Sequence, residues 1–127
     1  MVNKGFLLDT TALIDFFRGE KIVTMVSELA NKLPLAVSPV TIAEIYSGIR
    51  NAEIERVEEF LSSLILYPID GIISRRAGLY QKDYRQKGIT LGLADCLIAA
   101  TAVKHGLILV TKNVRHFPMP EVSVIEH

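Results

Sequence analysis

Short apolar runs alternate with longer amphipathic segments along this chain. The apolar runs have the length of buried strands and cover residues 5–8, 34–37, 64–69, 107–110 and 122–125. Helical spacing of apolar residues predicts helices over residues 11–18, 21–32, 40–49, 52–63 and 93–105, and one more that Asp70 caps and that runs toward Gly88. Parallel strands need crossover connections, so this alternation predicts an α/β fold: a mostly parallel sheet of about five strands with helices on both faces.

Composition favours one compact domain. Half of the 127 residues are hydrophobic and no repeat or Pro/Gly-rich linker divides the chain, so a single domain over residues 1–127 is expected. The only cysteine, Cys96, cannot form an internal disulfide, which fits a reducing cytoplasm, and we expect it to pack as a small hydrophobe. Lys4, Asp9 and Asp15 interrupt the apolar stretch at the amino end. We therefore expect a soluble, cytoplasmic protein without a signal peptide or membrane span.

Charge is balanced overall but not along the chain. Residues 1–70 carry 6 Lys and Arg against 10 Asp and Glu, whereas residues 71–127 carry 8 against 4. The second half can supply a local phosphate-binding face, although scattered solvated charge explains the counts equally well. The candidate residues for that face are Arg75, Arg76, Lys82, Arg85, Lys87, Lys112 and Arg115.

Asp95 lies in strongly apolar sequence. Its neighbours at helical spacing are Leu91, Gly92, Ile98 and Ala99. An ionised carboxylate in such surroundings needs a hydrogen-bond network, a charged partner or a metal ion, because its desolvation is costly. The alternative is an ordinary acid in the first turn of a helix, stabilised by the helix dipole. We favour a functional carboxylate.

Two further acids lie where an α/β sheet binds its ligands. Asp9 directly follows the first strand, and Glu44 lies on the polar stripe of the helix over residues 40–49. Taken singly, Asp9 is equally well explained as a helix cap, and Glu44 as a solvated residue. Open parallel sheets bind ligands beyond the carboxyl ends of their strands, however, and right-handed crossovers place Asp9 and Asn113 at the same edge.

Together, Asp9, Glu44 and Asp95 form a candidate site for a hard cation. Mg²⁺ prefers oxygen ligands and usually binds one or two carboxylates together with water. A cation held in this way can activate water and neutralise the charge that develops on a phosphodiester. The convergence of the three acids is an expectation from the fold class, since their spacing in sequence does not establish it.

Four segments together resemble those of a known family. They are LLDTTALI at residues 7–14, TIAEIYSG at 41–48, LADCLIAA at 93–100 and LVTKNVRHF at 109–117. In this order and at this spacing they resemble the PIN domains, specifically the VapC-like toxins of type II toxin-antitoxin systems, over nearly the whole chain. The resemblance implies a three-layer sandwich and an endoribonuclease that depends on Mg²⁺ or Mn²⁺. It also implies an RNA substrate, a homodimer and a cognate antitoxin protein.

The resemblance also assigns roles to residues. Asp9, Glu44 and Asp95 match the family's catalytic acids, which hold the metal. Many relatives have a further acid after the fourth strand, where this chain has Asn113. The Asn113 amide can orient a water, so we expect Asn113 to be a fourth catalytic residue. It adds no charge, so whether one or two metal ions act stays open. Thr111 is a candidate for positioning the same water, or simply a turn residue.

Two other functions fit parts of the sequence. A phosphoacceptor signalling domain also has a late Thr-Lys pair, here Thr111 and Lys112. It needs an aspartate at the end of the central strand, where Asp70 is the available acid, and it leaves Glu44 and Asp95 unexplained. A PIN-like module that binds RNA or protein without catalysis is motivated by the asparagine after the fourth strand.

Two histidines are weaker candidates for the site. His105 and His116 can in principle contact phosphate or shuttle protons. A lone histidine near a helix end is more often a solvated residue, so neither is assigned a role.

Overall fold

A computed structural model describes residues 2–127; Met1, which the predicted domain includes, lies outside the described residues. The described strands are β1 (Gly5–Leu8), β2 (Leu35–Val37), β3 (Ile65–Leu66), β4 (Leu107–Thr111) and β5 (Val124–Glu126). They form one sheet in the order β3-β2-β1-β4-β5, and each of the four pairings is parallel. The predicted α/β fold around a five-stranded parallel sheet is confirmed.

Helices connect the strands close to the predicted positions. They are α1 (Thr10–Phe17), α2 (Ile22–Ala30), α3 (Pro39–Ser47), α4 (Ile54–Ser62), α5 (Gly71–Gln86) and α6 (Leu93–His105), with 3₁₀ turns at Asn51–Glu53 and Val114–His116. Ser38 caps α3 by accepting a hydrogen bond from the Val40 N–H. Gly106 ends α6 in the left-handed conformation, with φ of 64°. No helix within residues 2–127 is long and apolar enough to cross a membrane.

The third and fifth strands differ from the prediction. The apolar run over residues 64–69 yields only the two residues of β3, which lies at the edge of the sheet. The Tyr67 N–H donates to the carbonyl of Val37, the last residue of β2, at 3.2 Å, so no residue of β2 remains to pair with Pro68. At the other edge, β5 covers Val124–Glu126 rather than residues 122–125. A turn closed by the Val122 N–H and the Met119 carbonyl, 3.1 Å apart, occupies the start of the predicted run.

Two hydrophobic cores lie on opposite faces of the sheet. Leu7 and Leu109 pack against α5 and α6, whereas the next residues, Leu8 and Val110, pack against α1 to α4. This alternation follows from the two-residue period of a strand. Cys96 is fully buried in the first core, and burial raises the pKa of its thiol, which fits a packed hydrophobe. The result is the three-layer sandwich that the resemblance implies.

Gly5 determines how closely β1 approaches the segment before β2. A Cβ at this position would lie 2.8 Å from the Pro34 carbonyl oxygen. We expect Gly5→Ala to lower the free energy of unfolding by about 1–3 kcal/mol, the usual cost of overpacking, in urea denaturation. Gly78→Ala inside α5 is the control: apart from its chain neighbours and the nearby backbone of its own helix, no described atom lies within 4 Å of its Cβ position, so alanine should stabilise the helix by about 0.5–1 kcal/mol. Equal effects of the two substitutions would contradict this account of Gly5.

Candidate active site

Asp9 is the buried acid at the end of β1. It directly precedes α1, but its side chain does not cap that helix. Instead, Oδ2 accepts hydrogen bonds from the hydroxyls of Thr111, at 2.7 Å, and Thr11, at 3.2 Å. No group within the described chain donates to Oδ1. The carboxylate therefore faces the end of β4, which excludes the helix-cap alternative for this side chain.

Glu44 reaches the same edge of the sheet from α3. Its Oε1 accepts a hydrogen bond from the Thr10 hydroxyl at 2.6 Å. The hydroxyl of the buried Thr41 lies 3.3 Å from the same Thr10 oxygen. The polar stripe of α3 is thus explained, because it faces the first residue of α1, next to Asp9.

Asp95 completes the cluster from the first turn of α6. Its side chain is 28% exposed, and its Oδ2 lies 3.2 Å from Nδ1 of His116. Burial is the main cause that raises the pKa of Asp95; the charge of Asp9 raises it further, His116 opposes the rise, and Glu44 adds a smaller increase. The structure therefore brings the three predicted acids into one electrostatic field at the carboxyl edge of the sheet.

The donors that fix Asp9 and Glu44 are hydroxyl groups rather than cations. Within residues 2–127, no lysine or arginine forms an ion pair with Asp9, Glu44 or Asp95. A hydroxyl fixes a carboxylate oxygen without neutralising its charge. The cluster therefore keeps a negative field, which raises the local concentration of cations.

The donor set fits a hydrated Mg²⁺ or Mn²⁺ ion. Such an ion usually takes one or two carboxylates and completes its shell with water. Asp9 offers an oxygen that no described donor engages, and Asp95 lies in the same field. In the described part of the chain, no three His, Cys, Asp or Glu side chains are placed to ligate one ion together. Direct coordination by all three acids therefore stays a prediction.

Comparison with known proteins identifies the family. A family model described as PIN domain matches residues 6–121. The chain belongs to the PIN-domain family. Ribonuclease VapC10 of Mycobacterium tuberculosis is 47% identical over 88 residues, which span 69% of this chain and 66% of VapC10. Ribonuclease VapC19 of the same organism is 36% identical over 115 residues, which span 89% of this chain and 92% of VapC19.

A solved structure shows the same PIN-domain architecture. The DNA-bound VapBC of Salmonella typhimurium matches with a TM-score of 0.84 and 25% identity, over 97% of this chain and 98% of that one. The matched residues of the family model, 6–121, include all four segments that carry the resemblance. The assignment to the VapC-like PIN domains is confirmed.

His116 is the site residue to which sequence analysis of this PIN domain assigns no role, although it names the residue as a weaker candidate. The 3₁₀ turn Val114–His116 after β4 turns the chain so that His116 contacts Asp95. The available signal in the sequence is its position three residues after Asn113. Its helix-end surroundings argue equally for a solvated residue, so composition alone does not identify it.

Asn113 lies at the predicted edge, but its side chain makes no hydrogen bond with the described residues. Its N–H donates to the Thr111 hydroxyl at 3.0 Å. Thr111 itself is fully buried and donates to Asp9. A catalytic role for Asn113 stays a prediction, whereas Thr111 has a defined contact with the acid cluster.

Residues that other interpretations invoked lie elsewhere in the PIN domain. Asp70 caps α5 by accepting from the Ile73 N–H and pairs with Lys104, and the His105 ring packs on Tyr67 with centroids 4.4 Å apart. Asp70 therefore has a structural explanation, and the phosphoacceptor interpretation loses its acid.

The basic candidates on or beside α5 are exposed: Arg75, Arg76, Lys82, Arg85 and Lys87. Their contact with substrate stays a prediction.

Proposed function

We propose that this PIN-domain protein is a metal-dependent endoribonuclease and the toxin component of a toxin-antitoxin pair. The observation that carries the proposal is the cluster of three acids at the carboxyl edge of the sheet: Asp9 and Glu44 accept from hydroxyl donors, and Asp95 contacts His116. Relatives named Ribonuclease VapC support RNA as the substrate. The VapBC structure supports a second protein as partner.

Asp9 and Asp95 are the proposed direct ligands of Mg²⁺, with Mn²⁺ as its substitute. Glu44 is proposed to bind the same ion, directly or through a water molecule. When bound, the ion supplies charge neutralisation at the phosphodiester and a more acidic water. The threonine hydroxyls keep Asp9 and Glu44 in fixed orientations, so that little reorganisation accompanies the reaction. The Asn113 amide is proposed to orient the attacking water.

The direct test is cleavage of a panel of structured RNAs by the purified protein in Mg²⁺, in Mn²⁺ and in EDTA. We expect cutting with either metal, none in EDTA, and recovery when metal is added back in excess. Asp9→Ala is the variant that must be inactive under all conditions, since a contaminating nuclease would remain active in that preparation. Cutting that persists in EDTA would overturn the metal-dependent mechanism.

A catalytically inert binding module is the second candidate, because Asn113 adds no charge and no three described acidic, histidine or cysteine side chains surround one ion. Mn²⁺ titration followed by calorimetry separates the two functions. Saturable binding that Asp9→Ala removes supports the nuclease. Absence of binding, together with RNA that is bound but never cut, supports the inert module.

We further propose that the protein forms a homodimer and is neutralised by a cognate antitoxin in the cytoplasm. The apolar residues exposed by this chain offer surface for such contacts, among them Ile65 and Leu66 of the edge strand β3 and Ile72 of α5. Light scattering should give twice the monomer mass of 14.1 kDa. Growth arrest on expression, relieved by co-expression of the protein encoded by the adjacent gene, would support the toxin assignment.

A further inference from the structure

A second polar site lies beside the acid cluster. It is a cleft of about 580 Å³ between the α1–α2 connection, the start of α2, and the residues after β4 and β5. Its lining includes Asp15, Lys112 and His127, with Ile22 and Met25 as an apolar wall. A cleft of this volume admits a single nucleoside. We call it the Asp15 cleft.

Asp15 is an unusual residue in this cleft. It lies within α1 with its side chain only 9% exposed, and its charged partner in the described chain is the Lys112 ammonium, 3.5 Å from Oδ2. No described group donates a hydrogen bond to its oxygens. A buried carboxylate normally has several donors, because its desolvation is costly. Asp15 therefore offers acceptor capacity that the fold itself does not use.

His127 adds a second unused polar atom. Its Nε2 is buried and has no hydrogen-bond partner among the described residues. The His127 N–H donates to the Thr111 carbonyl at 3.3 Å, which ties this end of the cleft to β4. The cleft is thus lined by a carboxylate and an ammonium that keep hydrogen-bonding capacity, and by a histidine whose buried Nε2 has no described partner.

The Asp15 cleft adjoins the acid cluster through one stretch of backbone. The Lys112 N–H donates to the Thr11 hydroxyl at 3.2 Å, and the same hydroxyl donates to Asp9. An RNA whose phosphate lies at Asp9 therefore has a neighbouring nucleotide within reach of the cleft. Single-stranded RNA is typically recognised in this way, by bases that leave the stack and enter pockets.

We propose that the Asp15 cleft binds an unpaired guanine base of the RNA substrate, next to the site of cleavage. Guanine presents two adjacent N–H donors beside one carbonyl acceptor on its Watson–Crick edge. The two donors match the Asp15 carboxylate, and the carbonyl matches the Lys112 ammonium. Adenine, cytosine and uracil each lack the paired donors. The proposal rests on the proposed function, since it takes RNA as the substrate.

The test measures binding without cleavage, in EDTA, by fluorescence anisotropy of labelled RNA pentamers. The probes are pentauridylate and three relatives whose central uridine is replaced by guanosine, adenosine or cytidine. We expect the guanosine pentamer to bind at least about fivefold more tightly, as one bidentate base contact provides. Asp15→Asn should reduce this preference to less than about twofold, because the amide replaces an acceptor by a donor.

Glu20→Gln is the matched control, since it removes a negative charge from the exposed rim of the same cleft and should keep the guanosine preference. Equal affinity of the wild type for all four pentamers, or a preference that survives Asp15→Asn, would overturn the proposal. If Asp15→Asn does not fold, NMR titration of the wild type tests the proposal instead. Guanosine monophosphate must then shift the Ile22 and Lys112 amide resonances more than cytidine monophosphate does. The assay contains no free metal and measures binding, not cleavage. Its result therefore does not depend on whether the protein is a nuclease.

Discussion

Asp95→Asn is expected to lower the rate of metal-dependent RNA cleavage by at least about 1,000-fold, since several kcal/mol of charge stabilisation depend on a bound metal. The amide keeps the size of the side chain but removes the charge that would hold the ion. Initial rates in saturating Mg²⁺ and Mn²⁺ measure the effect. Asp83→Asn is the matched control, because it makes the same chemical change on an exposed position of α5. An active Asp95→Asn enzyme would exclude the proposed mechanism.

The same substitution is expected to stabilise the metal-free protein at neutral pH. The pKa of Asp95 is raised in the folded state, mainly by burial and by Asp9, so folding disfavours the ionised form. The folded state then binds this proton more tightly than the unfolded state does. Stability of metal-free wild type should be fullest below the ordinary aspartate pKa and decline as pH rises through the raised value. Asp95→Asn should flatten that decline, which urea denaturation across the pH range measures.

Metal ions are expected to reverse the order of stability between the wild type and Asp95→Asn. A ligand that binds only the folded state stabilises it, so Mn²⁺ should raise the melting temperature of the wild type and of Asp83→Asn. It should leave Asp95→Asn nearly unchanged. Equal stabilisation of all three proteins would place the ion elsewhere on the surface.

The fold was largely predictable because strand and helix periods are local properties of the sequence. The run at residues 107–110 and the helix over residues 93–105 appear almost as predicted, since Gly106 separates them. The length of β3 was not predictable, because a strand's length also depends on its neighbours. β3 has a partner on one side only, and that partner, β2, itself ends at Val37.

The acids of the candidate site are identifiable in the sequence for a different reason. Asp95 lies among apolar residues, and the cost of burying a carboxylate indicates a function from sequence alone. The orientation of Asp9 was not available in the same way. As a helix cap, the Asp9 side chain would point to the start of α1; as a site residue, it would point to the end of β4. The donor that decides between the two is Thr111, 102 residues away in sequence.

Thr111→Val is expected to weaken Mn²⁺ binding about 10- to 100-fold, the usual cost of losing a residue that orients a metal ligand. Valine preserves the shape of threonine but removes the 2.7 Å hydrogen bond to Asp9. Asp9 is 4% exposed, so the carboxylate then lacks its shortest donor in a place where water cannot easily replace it. The free energy of unfolding should fall by about 1–3 kcal/mol as a result. Mn²⁺ calorimetry and urea denaturation measure the two effects.

Thr111→Ser separates the hydroxyl's role from that of packing. Serine keeps the donor to Asp9 and loses a methyl group in a fully buried position, so it should cost about 1 kcal/mol of stability and leave Mn²⁺ affinity close to that of the wild type. If Thr111 only fills space, valine should be the milder substitution in both measurements. If it orients Asp9, serine should retain Mn²⁺ affinity in spite of its loss of stability, whereas valine should lose both. The serine variant is decisive, because a general loss of stability would lower both quantities together.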